Sequence, residues 1–171
     1  YASFTGTSFA TPFVTGAAAL LMLTPWRGNR VLVDPFCGSG TFPIEAAMMA
    51  ANIAPGMNRS FTAEKWNNLI PKKLWYEAIN EANDLVDDSV EVDIQGYDID
   101  AEALKAARSN AKMAGVDGLI HFQQRAVKDL SHPKPYGFII TNPPYGERIS
   151  TNNLLGLYQM IGERLKHAFT G

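Results

Sequence analysis

Residues 30–41 read RVLVDPFCGSGT, an apolar run followed by a turn that contains two glycines. The run has the pattern of a buried strand ending at Asp34, and residues 41–54 then place apolar side chains on one helical face. We therefore predict a strand, a glycine turn and a helix. Gly38 and Gly40 would let the backbone approach a ligand closely and turn into a helix whose free N–H groups point at that ligand.

The same alternation continues along the chain. Apolar runs predict further strands at residues 92–97, 119–123 and 136–141. Helical patterns follow Asp100, which we expect to cap its helix, and cover residues 154–169. Strands that alternate with helices predict an α/β fold with a doubly wound, mostly parallel sheet. Ligands of such sheets bind beyond the carboxyl ends of the strands, so the candidate site lies in the loops after them.

Composition narrows the classes of function. The chain has 171 residues, 46% of them hydrophobic and 19% charged, which is typical of one globular domain. A net charge of -2 gives no chain-wide attraction to nucleic acid, so an RNA partner needs a local basic patch or another domain. Cys37 is the single cysteine, which excludes an internal disulfide, and we predict no metal site. We find no membrane-spanning or secretory pattern and expect a cytoplasmic protein.

Residues 55–90 are longer than an ordinary connection and read as a helical insertion. Trp66, Trp75 and Tyr76 occur within it. Packing against a core is the simpler interpretation of these aromatic side chains, and stacking on a base is the alternative. The basic side chains of the insertion are Arg59, Lys65, Lys72 and Lys73.

A second motif, GYDID at residues 96–100, closes the second predicted strand. The carboxylate of Asp98 can accept hydrogen bonds from two ribose hydroxyls, and Ile99 can lie against an adenine ring. Pro43 replaces the third glycine of a dinucleotide fingerprint and no Gly-Lys-Ser/Thr follows, so neither a dinucleotide nor a nucleoside triphosphate is favoured. Since Asp34 would also repel phosphates, the pattern predicts a nucleoside without phosphates.

A third motif, TNPPYGER at residues 141–148, follows the last predicted strand. Two consecutive prolines fix the backbone and remove two N–H donors, which leaves a rigid hook that presents oxygen atoms. The Asn142 side-chain oxygen and the Pro143 carbonyl can each accept one hydrogen from an exocyclic amine. Tyr145 offers a face on which a flipped base can stack. The hook therefore predicts a site for a base with an amino group.

Residues 17–56, 94–115 and 141–149, which contain these motifs, resemble the catalytic domain of bacterial RNA methyltransferases that carry a THUMP domain. The resemblance implies a Rossmann-like class I methyltransferase fold and S-adenosylmethionine as the methyl donor. It also implies transfer to guanine N2, chiefly in large-subunit (23S) ribosomal RNA, with the target base held by Asn142, Pro143 and Tyr145. The implied donor-site residues are Asp34, Pro35, Phe36, Cys37, Gly38, Ser39, Gly40, Thr41, Asp98, Ile99 and Gln124.

The chain departs from that family's pattern at both ends. The family begins with its RNA-binding THUMP domain and continues into further strands, so we expect residues 17–171 to be a partial domain, truncated at the C-terminus. An inactive remnant that binds a nucleoside is the alternative function. Gln124 stands where many methyltransferases use an acid to hold the adenine amine.

Residues 6–16, GTSFATPFVTG, resemble the serine motif of subtilisin-like proteases, which makes a protease fragment over residues 1–20 a further alternative. A serine nucleophile needs a histidine base and an orienting carboxylate, which that family supplies earlier in its chain. Only seven residues precede Ser8, and every histidine lies downstream. We predict that Ser8 does not react with a fluorophosphonate probe, and labelling of Ser8 detected by mass spectrometry would contradict this.

Overall fold

A computed structural model of the chain describes residues 7–57, 59–134, 136–145 and 151–168, with the backbone alone at 7–13, 151–153 and 168. The helices are α1 (Thr7–Leu23), α2 (Thr41–Ala50), α3 (Lys72–Asp84), α4 (Ala101–Ala114) and α5 (Thr151–Ala168). The strands are β1 (Leu32–Asp34), β2 (Ile94–Asp98), β3 (Ile120–Gln124) and β4 (Phe138–Ile139). Ser8 lies in α1, and its side chain is outside the described residues. Within the described ranges, none of the helices has the length and apolar character needed to cross a bilayer.

The four strands form one parallel sheet in the order β3-β2-β1-β4. Strand β1 pairs with β2 on one side, where Leu32 lies opposite Ile94, and with β4 on the other, where Val33 lies opposite Ile139. All carboxyl ends therefore meet at one edge of the sheet. The predicted parallel α/β architecture is confirmed.

Each face of the sheet carries its own apolar core. On one face α1, α2 and α4 cover the strands through small and apolar side chains, with Leu21, Ala47 and Leu104 buried. On the other face α5 packs over Val33 and Tyr97 through partly buried side chains such as Leu157. A sheet covered on both faces explains why its strands read as continuous apolar runs.

Helix α2 and strand β4 are both shorter than predicted. Helix α2 ends at Ala50 and not at residue 54, because Asn52 adopts a positive φ of 54°, which a continuing helix does not allow. Strand β4 is shorter than the predicted residues 136–141, because Tyr136 is exposed with a φ of 60° and extended pairing starts only at Phe138.

The segment of residues 55–90 contains a 3-10 turn, Thr62–Lys65, and helix α3, and α3 has no buried residue. Trp75 stacks on Phe61 with ring centroids 6.2 Å apart. Trp66, in contrast, is 53% exposed. Packing therefore explains Trp75 and leaves Trp66 unexplained.

We predict that Gly40→Ala lowers the free energy of unfolding by about 2 kcal/mol, because Gly40 combines a φ of 88° with a crowded site. A Cβ there would lie 3.1 Å from atoms of Ile44, Ala107 and Phe122. Gly156→Ala is the matched control, since it adds a methyl group to an exposed helical position with open space and should stabilise slightly. Urea denaturation followed by circular dichroism measures both, and equal stability of the Gly40→Ala and Gly156→Ala proteins would contradict the packing described.

Candidate active site

A cavity of 740 Å³ opens at the carboxyl edge of the sheet, where the ends of β1 and β4 meet. Its wall combines Asp34, the glycine turn from Phe36 to Thr41, and the pair Thr141 and Asn142. Helix α1 closes another side. The cavity thus joins the predicted donor loop and part of the predicted base hook in one space.

The glycine turn is held in place by its backbone. The Cys37 N–H donates to the Tyr97 carbonyl at 2.9 Å, and the Asn110 side-chain amide donates to the Ser39 carbonyl at 3.0 Å. Gly38 has a φ of 52°, and a Cβ added there would meet no atom within 4 Å. Gly40 precedes α2 without a side-chain cap, which leaves N–H groups of the first helical turn for a ligand. The turn is therefore rigid, and its Gly38 face is open.

Asp98 connects β2 to the glycine turn. One carboxylate oxygen accepts the Gly38 N–H at 2.9 Å, and the other accepts the Asp100 N–H at 3.0 Å. A carboxylate offers about four lone-pair positions, so each oxygen keeps acceptor capacity after these two bonds. Asp98 can therefore hold the loop and still accept two hydroxyl groups.

Asp34 is the buried charged group of the described core. Its Oδ1 accepts hydrogen bonds from the Thr141 hydroxyl at 2.5 Å and from the Phe36 N–H at 3.1 Å. Burial raises the pKa of Asp34 to about 7, against the lowering effect of these two donors. The carboxyl group is therefore poised between its neutral and charged forms, and a cation entering the cavity would favour the charged form.

Cys37 also lines the cavity. Burial, with the nearby Asp34 and Asp98 carboxylates, raises the pKa of its thiol well above the ordinary range. A thiol in this state stays protonated and is a poor nucleophile. Cys37 is therefore a small wall residue of the cavity.

The hook is described as far as Tyr145. Asn142 is exposed at the cavity wall, next to Thr141. Pro143 is half-buried, and Tyr145 is 62% exposed. Neither of these two is among the described residues that line the cavity. The structure thus brings Asn142 to the glycine turn and leaves the tyrosine face open to solvent.

The remaining predicted donor residues lie around Asp98 and beneath the turn. Gln124 donates its side-chain N–H to the Ile99 carbonyl at 2.9 Å, while the Ile99 side chain is exposed. Asp100 accepts the Glu102 N–H as the predicted helix cap. Pro35 and Gly40 are buried, as support for the turn.

Sequence reasoning missed several residues of this cavity. No role is predicted for Thr141 from the sequence, although a hydroxyl group directly before Asn142 would be enough to make it a candidate site residue. Its contact with Asp34 depends on β4 lying beside β1, which no local pattern reveals. Val14 and Leu20 of α1 also line the cavity, as does Phe42.

Comparisons with known proteins show similarity to methyltransferases. A family model described as "UPF0020: RMKL-like, methyltransferase domain" matches residues 14–171. The "Ribosomal RNA large subunit methyltransferase K/L" of Vibrio campbellii is 44% identical over 163 residues, which are 92% of this chain and 23% of that protein.

Two solved structures are also similar. The crystal structure of SMU.472 complexed with SAH has a TM-score of 0.86 and 38% identity, covering 91% of this chain and 41% of that one. A Listeria monocytogenes protein described as a "predicted N6-adenine-specific DNA methylase" has a TM-score of 0.84 and 45% identity, covering 90% of this chain and 40% of that one. The chain thus spans between 23% and 41% of the length of these three relatives.

We predict that the raised pKa of Asp34 makes stability fall with rising pH. The pKa of Asp34 is about 7 in the folded protein, against an ordinary value of 3.8, so the folded state holds this proton more tightly than the unfolded state does. The stability that this contributes is fully present below pH 4 and is lost as the pH rises through 7. Relative to Asp34→Asn, the free energy of unfolding of the wild type should fall by about 4 kcal/mol between pH 4 and pH 8.

Urea denaturation at several pH values measures this difference. Thr141→Val removes a donor that stabilises the charged carboxylate, so the pKa of Asp34 should rise further. The free energy of unfolding of this variant should therefore keep falling to a higher pH than that of the wild type. Parallel curves for the wild type and Asp34→Asn would mean that Asp34 does not titrate in this range.

Proposed function

The chain belongs to the UPF0020 (RMKL-like) methyltransferase family, and we propose that it binds S-adenosylmethionine and transfers a methyl group to an exocyclic amine of a base in RNA. The observation that carries the proposal is the cavity shared by the glycine turn and Asn142. A methyl transfer needs donor and acceptor in one space within reach of each other. The SAH in the structure of SMU.472 supports S-adenosylmethionine as the donor.

Residues in and next to the cavity fit this donor, with Asp34 in the cavity wall and Asp98 bonded to the glycine turn outside it. Asp34 and Asp98 contribute negative charge next to the turn, which disfavours a phosphate ligand and favours a cation with hydroxyl groups. We assign the ribose hydroxyls to the free lone pairs of Asp98 and the cationic part of the donor to the side of Asp34. The open space at Gly38 leaves room for a ligand against the backbone. Gln124 keeps its side-chain oxygen as an acceptor for the adenine amine.

When bound, the donor supplies an electrophilic methyl group carried on a positively charged sulfur. The chain's own contribution is to position the acceptor. The lone pair of an exocyclic amine is conjugated with its base, and it becomes nucleophilic when the amine is turned out of the ring plane. We assign this turn to the Asn142 side-chain oxygen and the Pro143 carbonyl, which each accept one amine hydrogen. The same oxygens stabilise the positive charge that grows on nitrogen. The cationic amine is strongly acidic and loses one proton to water, so a strong general base is not required.

We assign the acceptor to guanine N2 of large-subunit ribosomal RNA. The name of the Vibrio campbellii relative, a large-subunit ribosomal RNA methyltransferase, supports an RNA substrate. Adenine N6 is the second candidate, favoured by the description of the Listeria monocytogenes protein as an adenine methylase. Both amines offer two hydrogens to the hook, so the hook by itself serves either.

One experiment separates these assignments. Unmodified ribosomal RNA is incubated with the protein and methyl-labelled S-adenosylmethionine, digested to nucleosides and analysed by mass spectrometry. We expect label in N2-methylguanosine. Label in N6-methyladenosine would support the second candidate. Binding of S-adenosylmethionine without any transfer would support a nucleoside-binding remnant and contradict the proposed activity.

We predict that Asp98→Ala weakens S-adenosylmethionine binding tenfold or more. Hydrogen bonds to a charged group contribute roughly 1.5 to 3 kcal/mol each, and the variant also loses the Gly38 tether. Asp100→Ala is the matched control in the same turn, because it removes a helix cap and should lower stability without changing affinity. Isothermal titration calorimetry reads both, and an Asp98→Ala protein with wild-type affinity would remove Asp98 from the donor site.

We predict that Asn142→Ala leaves S-adenosylmethionine affinity almost unchanged and lowers the transfer rate on the order of a hundredfold, the cost of one preorganised contact at a developing charge. Single-turnover methylation of RNA measures the rate. Tyr145→Ala should raise the RNA concentration needed, while Tyr145→Phe keeps the stacking face and should not. If Asn142→Ala transfers methyl groups at the wild-type rate, the hook is only a rigid turn.

A further inference from the structure

A second recess lies outside the active site, on the segment between α2 and α3. It has a volume of 380 Å³ and is lined by five consecutive residues, Lys65 to Leu69, in the order Lys-Trp-Asn-Asn-Leu. Trp66 is the aromatic residue among them, and it is 53% exposed. We call this site the Trp66 recess.

The aromatic side chains of this segment divide into two groups. Phe61 and Trp75 stack on each other, and the Arg59 guanidinium lies 4.5 Å from the Phe61 ring centre. These contacts pack the segment together. Trp66 and Tyr76 instead face solvent, at 53% and 66% exposure. An exposed indole on a framework that already has its own stacked pair is available for a ligand.

The backbone around the recess is ordered by its own hydrogen bonds. The N–H groups of Leu69 and Ile70 both donate to the Trp66 carbonyl, at 2.9 and 3.0 Å, and the Trp66 N–H donates to the Ala63 carbonyl at 3.0 Å. Trp66 therefore sits at the start of a closed turn, and a ligand that stacks on it does not have to order a free loop.

Charge along the segment is strongly divided. Residues 59–76 carry four basic side chains against one acidic, whereas residues 77–93 carry seven acidic and no lysine or arginine. The single acid in the basic part, Glu64, accepts the Phe61 N–H with its side-chain carboxylate at 2.6 Å. In a chain with a net charge of -2, the Trp66 recess thus lies in a locally basic segment, in which Lys73 forms an ion pair with Glu77 at 3.4 Å. A polyanion with aromatic rings is the complementary partner.

We infer that the Trp66 recess binds an unpaired nucleotide of the RNA substrate. Stacking on an exposed aromatic ring is the usual way in which proteins hold single-stranded bases, and it requires a base that is free of its helix. The amides of Asn67 and Asn68 can both donate to and accept from a base edge. Lys65 lines the same recess and can pair with the adjoining phosphate.

The Trp66 recess and the active-site cavity have no lining residue in common. The glycine turn lies at the start of α2, and the segment leaves α2 at its other end, about 15 Å away along a ten-residue helix. We therefore assign to the Trp66 recess a nucleotide other than the one that receives the methyl group. The inference relies on the proposed function for the identity of the RNA, and it assigns to residues 65–69 a contact that adds affinity away from the target base.

The test measures RNA binding directly, by fluorescence anisotropy of a labelled single-stranded RNA oligonucleotide with the wild-type protein. Trp66→Ala should weaken binding about tenfold, and Trp66→Phe should retain most of the affinity. Lys65→Gln should reduce the magnitude of the slope of log affinity against log salt concentration by about 0.7. Tyr158→Ala and Lys105→Gln, exposed residues of α5 and α4, are the matched controls and should bind like the wild type.

Intrinsic fluorescence gives a second readout that does not depend on a truncated side chain. Stacked RNA should quench indole emission in the wild type, and Trp66→Phe should lose that quenching while keeping the signals of the buried Trp26 and of Trp75 in its stacked pair. A duplex RNA of the same length should bind more weakly than the single strand.

Several results would overturn the inference: no RNA binding by the wild type, equal affinity for duplex and single strand, or wild-type affinity in Trp66→Ala. Heparin, a polyanion without bases, separates charge from stacking. If heparin binds as tightly as RNA and Trp66→Ala has no effect on RNA binding, the segment around Trp66 binds polyanions by charge alone and the inference is wrong. S-adenosylmethionine affinity, measured in parallel, distinguishes a failure of the donor site from a failure at the recess.

Discussion

Strand β1 is hydrogen-bonded on both sides, to β2 and to β4, and the geometry of the cavity depends on this double pairing. The strand has only three residues, yet it brings the ends of both neighbours to the turn that follows it. Asp98 reaches that turn from β2 through the Gly38 N–H, and Thr141 reaches Asp34 from beyond β4. The proposed donor loop and the proposed acceptor hook, which are about a hundred residues apart in the chain, thus share one space.

Electrostatics gives this space its selectivity. Asp34 is buried without a basic partner among its described contacts, and desolvation keeps its pKa near 7. Repulsion from the Asp98 carboxylate, which shares the turn, is one of the causes of this raised pKa. A neutral or anionic ligand gains little from two such carboxyl groups, whereas a cation relieves the cost of ionising Asp34. The pair is therefore matched to a positively charged donor, whereas the proposed nucleotide site at the Trp66 recess lies in a locally basic segment.

Much of this could be predicted from the sequence because the signals are local. The glycine turn, the Asp100 cap and the strand before each motif follow from residue types a few positions apart, and all of them are present in the structure. The contact of Thr141 with Asp34 could not be predicted, because it depends on which strands are neighbours. Trp66 and Trp75 have equal propensities for burial, and only tertiary packing separates the stacked ring from the exposed one. Strand β4 is shorter than predicted because an apolar run does not reveal the positive φ of Tyr136.

The central claim is that Asp98 holds the glycine turn and the ribose of the donor with the same carboxylate. A crystal structure of the protein with S-adenosylhomocysteine tests it most directly. We expect the Gly38 N–H bond to Asp98 to remain and both ribose hydroxyls to lie within hydrogen-bond distance of that carboxylate, with the ligand's sulfur on the side of Asn142. A ribose bound elsewhere, or a turn that releases Asp98 when the ligand binds, would contradict the account.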